Sequence, residues 1–220
     1  MQVHDDIFAT SPQMRRHVEL LGGKIPALLI DNFYENPDLI RELALGLTYT
    51  APPYPYPGTL AVTAGSSLEA LKSKVLQIVN TEYLPNVPPI MGQGRRIHAF
   101  REVLPDFARV ELHPDDLAPV QRVPHTDPVP IFGLVYLNRE ERGGTLFFEQ
   151  KAVANEAGRS GYFTESSPEF ELLGRIEGRF NRLAIYPGFV PHSGEIVGDW
   201  IRGEERFTQP RITQRLVFMA

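Results

Sequence analysis

The chain has 220 residues, 42% of them hydrophobic, and a formal net charge of -5 at pH 7. That length can bury one substantial core, while the acidic balance argues against a general phosphate-binding surface and so against a nucleic-acid partner. With no cysteine, disulfides, thiolate zinc sites and thiol nucleophiles are excluded, which fits a reducing compartment. The opening residues MQVHDDIFATSPQM carry acids and no apolar stretch of the kind a secretory leader needs. The longest purely aliphatic run, Ala27 to Ile30, is far short of the ~20 residues that span a bilayer. A soluble, cytoplasmic protein with no membrane partner is expected.

In chain order, residues 1–23 are mixed and polar and read as a loose arm or a short helix around Met14–Leu21. Lys24–Asp31 reads as a first strand, bounded by Gly22-Gly23 and Asp31-Asn32. A helix follows, with Asn36 as N-cap, Pro37 at its first position and Asp38 in the first turn; Leu39, Ile40, Leu43 and Leu47 form its apolar stripe. Residues 51–58, APPYPYPG, cannot be regular structure, because four prolines fix φ and remove donors. They are either a rigid surface connector or an aromatic rim beside a site. Ser66-Ser67-Leu68-Glu69 resembles a capping box. The helix after it carries Leu68, Leu71, Val75, Ile78 and Val79 and stops before Pro85.

From Arg95 the pattern changes to short strands: Arg96–Val103, Phe107–Leu112, Ile131–Asn138, Thr145–Gln150, Glu171–Glu177, Arg182–Tyr186 and Ile212–Met219. That series predicts a mainly β sandwich or jelly roll, with the early helices buttressing one sheet. With no repeat or linker, a single domain over 1–220 is expected, residues 1–94 supporting a core at 95–220.

His-x-Asp occurs three times, at His4-Asp6, His113-Asp115 and His125-Asp127. The first lies in an unpatterned arm, and the second, His-Pro-Asp-Asp, reads as a turn. His125-Thr-Asp leads into the apolar strand Ile131–Leu137, so a rigid element stands beside it. In an extended segment, positions i and i+2 project from one face and can reach one ion. His192, after a strand and a Pro-Gly turn, is preferred as third ligand over His17, in the expected helix, and His98, in an expected strand. Two histidines and one carboxylate form the facial triad of non-haem iron(II) oxygenases.

The residues around these ligands carry a resemblance. YLNREERGGTLFF (Tyr136–Phe148), with HTD upstream at His125 and NRLAIYPGFVPHSG downstream, resembles the core of the 2-oxoglutarate/iron(II)-dependent dioxygenases, prolyl-hydroxylase-like branch. The likeness covers roughly residues 95–220, and LLIDNFYENPDLIREL resembles the entry to such domains less specifically. It implies a double-stranded β-helix with N-terminal helices against it. It also implies iron ligation by His125, Asp127 and His192, with 2-oxoglutarate and O₂ as cosubstrates. Tyr136 and Arg211 match the residues that hold the far carboxylate of 2-oxoglutarate, and Thr213 the hydroxyl of an Arg-x-Ser/Thr pair. Arg215, two pleats along on the same face, is the alternative to Arg211, and the segment around Arg202–Arg206 is longer than in compact family members. The carboxylate of Asp127 leans toward hydroxylation, since halogenating members lack it. Gly143-Gly144 reads as a tight turn, and Glu149 and Asn181 as supporting or surface residues.

The substrate, a small molecule or a peptidyl side chain, is not selected by any motif. Two other readings share these residues. One is a cupin-like metal protein or isomerase that works without 2-oxoglutarate. The other is a metal-free binding module in which the three ligands do not converge. Zinc and nickel bind such ligands more tightly than iron(II), so either can replace it during purification.

Overall fold

The computed structural model describes residues 6–63, 65–153, 162–196 and 210–220. His4 and the Arg202–Arg206 segment lie outside the described residues. Its strands are β1 Arg15–Leu21, β2 Ile25–Asp31, β3 Thr59–Val62, β4 Met91–Gly92, β5 Arg95–Arg96, β6 Glu102–Val110, β7 Ile131–Tyr136, β8 Thr145–Gln150, β9 Phe170–Ile176, β10 Arg182–Pro187, β11 His192–Gly194 and β12 Arg211–Met219. Two α-helices, α1 Pro37–Gly46 and α2 Ser67–Ile78, fall among the first of these. No helix of the described residues is long and apolar enough to cross a membrane.

The fold is mainly β, a double-stranded β-helix of the jelly-roll class. One sheet has seven strands in the order β1-β2-β10-β7-β12-β6-β3, the facing one three in the order β11-β8-β9, and β4-β5 form a small ribbon. Every pairing is antiparallel. Strand alternation divides the large sheet's side chains between two cores. Leu28, Ile30, Val135, Leu183, Ile185, Ile212, Leu216 and Phe218 meet Ile40 and Ala44 of α1 and Leu68, Leu71, Val75 and Ile78 of α2. Ala27, Leu29, Phe132, Leu134, Ala184 and Tyr186 face the opposite way, toward Phe147 and Ile176 of the small sheet. Being apolar on both faces, β2, β7 and β10 read as continuous hydrophobic runs.

Four local expectations are corrected. Residues 15–21 are a strand, not an arm or helix. They pair with β2 through a turn in which Gly22 and Gly23 adopt φ of 55° and 70°, a region glycine enters without penalty. As an edge strand with mostly exposed side chains, β1 carries no apolar period by which to recognise it. Next, α2 begins at Ser67, but Ser66 is itself helical at φ -62° and ψ -28° and makes no side-chain cap hydrogen bond, so the capping box is not formed. Third, β6 joins the end of the expected strand 96–103 to most of the expected strand 107–112, running from Glu102 to Val110 through Pro105, one residue beyond the end of β3, where the missing N–H is tolerated. Last, His98 lies exposed between β5 and β6 rather than in a strand.

One ion pair ties β2 to β10. Arg182 is nearly fully buried and donates to both carboxylate oxygens of Asp31 at 2.6 and 3.0 Å. Asp31→Ala leaves that cation alone, and a urea titration should show a loss of about 3 kcal/mol. The hydrogen bonds from Arg182 hold the Asp31 carboxyl below its ordinary range. The pair's contribution is therefore complete above the unfolded carboxylate range and is lost as pH falls through the lowered value.

Candidate metal centre and its cavity

Two chain segments bring the ligands together. His125 and His192 are antiparallel bridge partners: His125 N donates to His192 O at 2.9 Å and His192 N to His125 O at 2.8 Å. Residues opposed in this way carry their side chains on one face, and the two imidazole centroids lie 4.8 Å apart. β11 is in turn registered on β8, His192 opposite Phe147. Asp127 is fixed through its own backbone, its N–H donating to Gly188 O at 2.8 Å. One ligand atom from each of His125, Asp127 and His192 lies within 4.8 Å of the others. Among the described residues the His113-Asp115 pair does not join such a group; His113 caps a short 3-10 turn, accepting from Asp115 N.

Gly188 leaves no room for a side chain. An added Cβ would stand 2.4 Å from Val129 O and 3.3 Å from Asp127 Cβ. Gly188→Ala therefore shifts the 127–129 link, and metal affinity should fall by about 10–100-fold, the range seen when support for a ligand is removed. Calorimetric titration with a divalent ion reads this directly.

The protonation states favour a cation. His192 Nδ1 lies 2.8 Å from Val190 O; a carbonyl only accepts, so Nδ1 carries a proton and Nε2 is the nitrogen turned to the site. That Nε2 stands 3.3 Å from Asp127 Oδ2, yet Oδ2 is buried with no aligned hydrogen-bond partner among the described residues. Burial, followed by the neighbouring His192, lowers His125 to about 4. The ring itself is exposed to the cavity it lines, so this lowering reflects the protein atoms packed around it and the neighbouring imidazole rather than full exclusion from solvent. Burial alone would raise the Asp127 carboxyl, but His192, His125 and Arg215 outweigh it and hold it below its usual range. Neutral imidazoles and an ionised carboxylate are the forms that bind metal. The donor set fits a divalent transition ion.

The triad lines a cavity of about 600 Å³ between the two sheets, within the size range of small-ligand sites. Alternate residues of β12 face it, Arg211 and Arg215 among them. Arg211 is buried and donates to Gly143 O at 2.7 Å and Gly144 O at 3.3 Å. Tyr136 stands behind the wall: its hydroxyl is 2.7 Å from Thr145 Oγ1, and Thr145 lines the cavity. Thr213 is buried, with no hydrogen-bond partner for its hydroxyl among the described residues. Arg215 is gripped by both oxygens of Asp106, each at 2.6 Å. The Pro/Tyr segment is a rim, since Tyr54, Pro55, Tyr56 and Pro57 all line the cavity.

Sequence reasoning missed Tyr186 and Asp106. Tyr186 is fully buried, its ring edge-on to His192 at 5.2 Å and to Phe147 at 4.9 Å. The alternation of β10, with Leu183 and Ile185 facing the helices, was the available signal. Asp106 sits in a Leu-Pro-Asp run that reads as a strand break. Glu149 and Asn181 lie away from the cavity. Glu149 is exposed and bonded to Lys24, while Asn181 brackets the backbone of Tyr34 with both side-chain atoms.

Residues 12–160 and 150–216 match a protein-family model described as a family of unknown function, DUF6445. No curated protein matches the chain. Among solved structures, it is similar to a Pseudomonas putida prolyl-4-hydroxylase at 14% identity, over 83% of this chain and 86% of that one, TM-score 0.40. It is similar to SnoN, a non-haem α-ketoglutarate-dependent epimerase of nogalamycin biosynthesis, at 12% identity, over 88% and 78%, TM-score 0.43. A bsmA homologue from Methylobium petroleophilum PM1 matches at 11% identity, over 86% and 83%, TM-score 0.45. Likenesses this distant do not say what the chain binds.

Proposed function

The chain belongs to the DUF6445 family of unknown function, and from its site we propose that it is an iron(II)- and 2-oxoglutarate-dependent oxygenase, most simply a hydroxylase of a small molecule or a peptidyl side chain. One observation carries the reading: the two histidines and the aspartate converge on a cavity that also holds the buried cation Arg211. His125, Asp127 and His192 would hold the iron. Iron(II) with 2-oxoglutarate supplies the oxidising chemistry, using O₂ and releasing succinate and CO₂. The chain's own residues bind, orient and shield. Arg211 gives the remote carboxylate of the cosubstrate a planar fork. Thr145, braced by Tyr136, and the unpartnered hydroxyl of Thr213 stand near the same end, while Phe132, Leu134 and Tyr186 keep the space apolar.

The test is anaerobic addition of iron(II) and then 2-oxoglutarate to purified protein. A visible charge-transfer band requiring both additions is expected. Metal uptake without a band would favour the cupin-like alternative, and no uptake of any divalent ion would leave a metal-free binding module.

A further inference from the structure

The two arginines of β12 are four residues apart on one face, about 13 Å along a strand that rises ~3.3 Å per residue. Both line the cavity, but their electrical states differ. Among the described residues the guanidinium of Arg211 bonds to the carbonyls of Gly143 and Gly144, neutral acceptors that leave its charge for a ligand. Arg215 is matched fork to fork by Asp106, through Nε to Oδ1 and Nη2 to Oδ2. Both partners are largely shielded, their side chains 12% and 17% exposed. The Arg215 guanidinium carbon lies 5.6 Å from the ring centre of Tyr56 and 6.0 Å from that of Phe132. Those two rings line the cavity beside it, and Tyr54, Val123 and Val129 add further uncharged lining. Apart from the metal ligands, this half of the cavity carries no uncompensated charge among the described residues.

We propose that the Arg215–Asp106 pair is a specificity device: it keeps the substrate half of the cavity neutral, so that the group admitted there is uncharged and largely apolar. The inference rests on assigning the Arg211 end to the cosubstrate. A bare guanidinium at position 215 would instead create a second carboxylate site beside aromatic rings, drawing anionic substrates or a second cosubstrate molecule. A bare Asp106 would attract cations. Each partner cancels the other, at the cost of desolvating both.

The test uses three probes with one ring and different charge: benzoate, benzyl alcohol and benzylammonium. Affinities are measured by protein-observed NMR titration on metal-free protein carrying Arg211→Gln, which removes the deep cation. Adding Asp106→Asn should tighten benzoate about tenfold or more and leave benzyl alcohol within about twofold. Adding Arg215→Gln instead should tighten benzylammonium by a similar factor. The second variant keeps the test decisive if the first, with its stranded cation, does not fold. If neither substitution changes the relative affinities, or if Arg215→Gln weakens benzoate tenfold in the parent, the pair is not a neutralising device and the proposal falls. The probe series needs neither iron nor 2-oxoglutarate, so it can fail while the charge-transfer band forms, or hold when no band forms.

Discussion

Asp127→Ala abolishes iron(II) uptake at micromolar metal, and with it the visible band that 2-oxoglutarate would produce. Removing mere support for a metal ligand costs about 10–100-fold in affinity, so losing the ligand should exceed about 100-fold. Only Asp127 brings negative charge to the trio, and without it the ion keeps two protein ligands and no counter-charge. The fold should survive. The Asp127 backbone N–H still donates to Gly188 O, and among the described residues its Oδ2 has no hydrogen-bond partner to strand. A urea midpoint near that of the parent, together with absent uptake in equilibrium dialysis, is therefore expected. Unaltered uptake would refute the ligand assignment. A collapsed midpoint would show that the carboxylate serves folding instead.

Arg211→Gln separates cosubstrate from metal. Iron uptake should match the parent's, while the 2-oxoglutarate needed for half the band rises steeply. Truncating one member of a buried charge pair costs about 2–5 kcal/mol, which is roughly 30-fold to several thousand-fold in affinity. Arg215→Gln should move the same midpoint less than about threefold, because that guanidinium already has Asp106 on its fork. A large effect at Arg215 with silence at Arg211 would reverse the assignment of the two residues.

The sequence made the double-sided strands plain. β8 was legible to its ends, and β7 and β10 to within two residues, because apolar runs between turn residues leave few other options. Elements stabilised by pairing rather than burial were invisible. β1 is almost wholly exposed, β3 has four residues and β11 three, and none carries enough side-chain pattern to register. At the site, the histidines and Asp127 were legible as a spacing and a family likeness. The backbone bridge that joins His125 to His192 was not, since it belongs to two segments far apart in sequence. The choice between Arg211 and Arg215 was equally hidden, for it turns on Asp106, a residue of another strand. Pro105 beside it disguised that strand as a turn.

The reciprocal backbone bonds between His125 and His192 make the jaw that would grip an ion a piece of sheet, held by hydrogen bonds that no ion supplies. Stripping with a chelator should then leave circular dichroism unchanged. Reloading should proceed at a rate first order in free metal, with no slow refolding phase. Such a jaw would discriminate little among divalent transition ions, so which of them it held would be decided by cellular supply rather than by the folding of this chain.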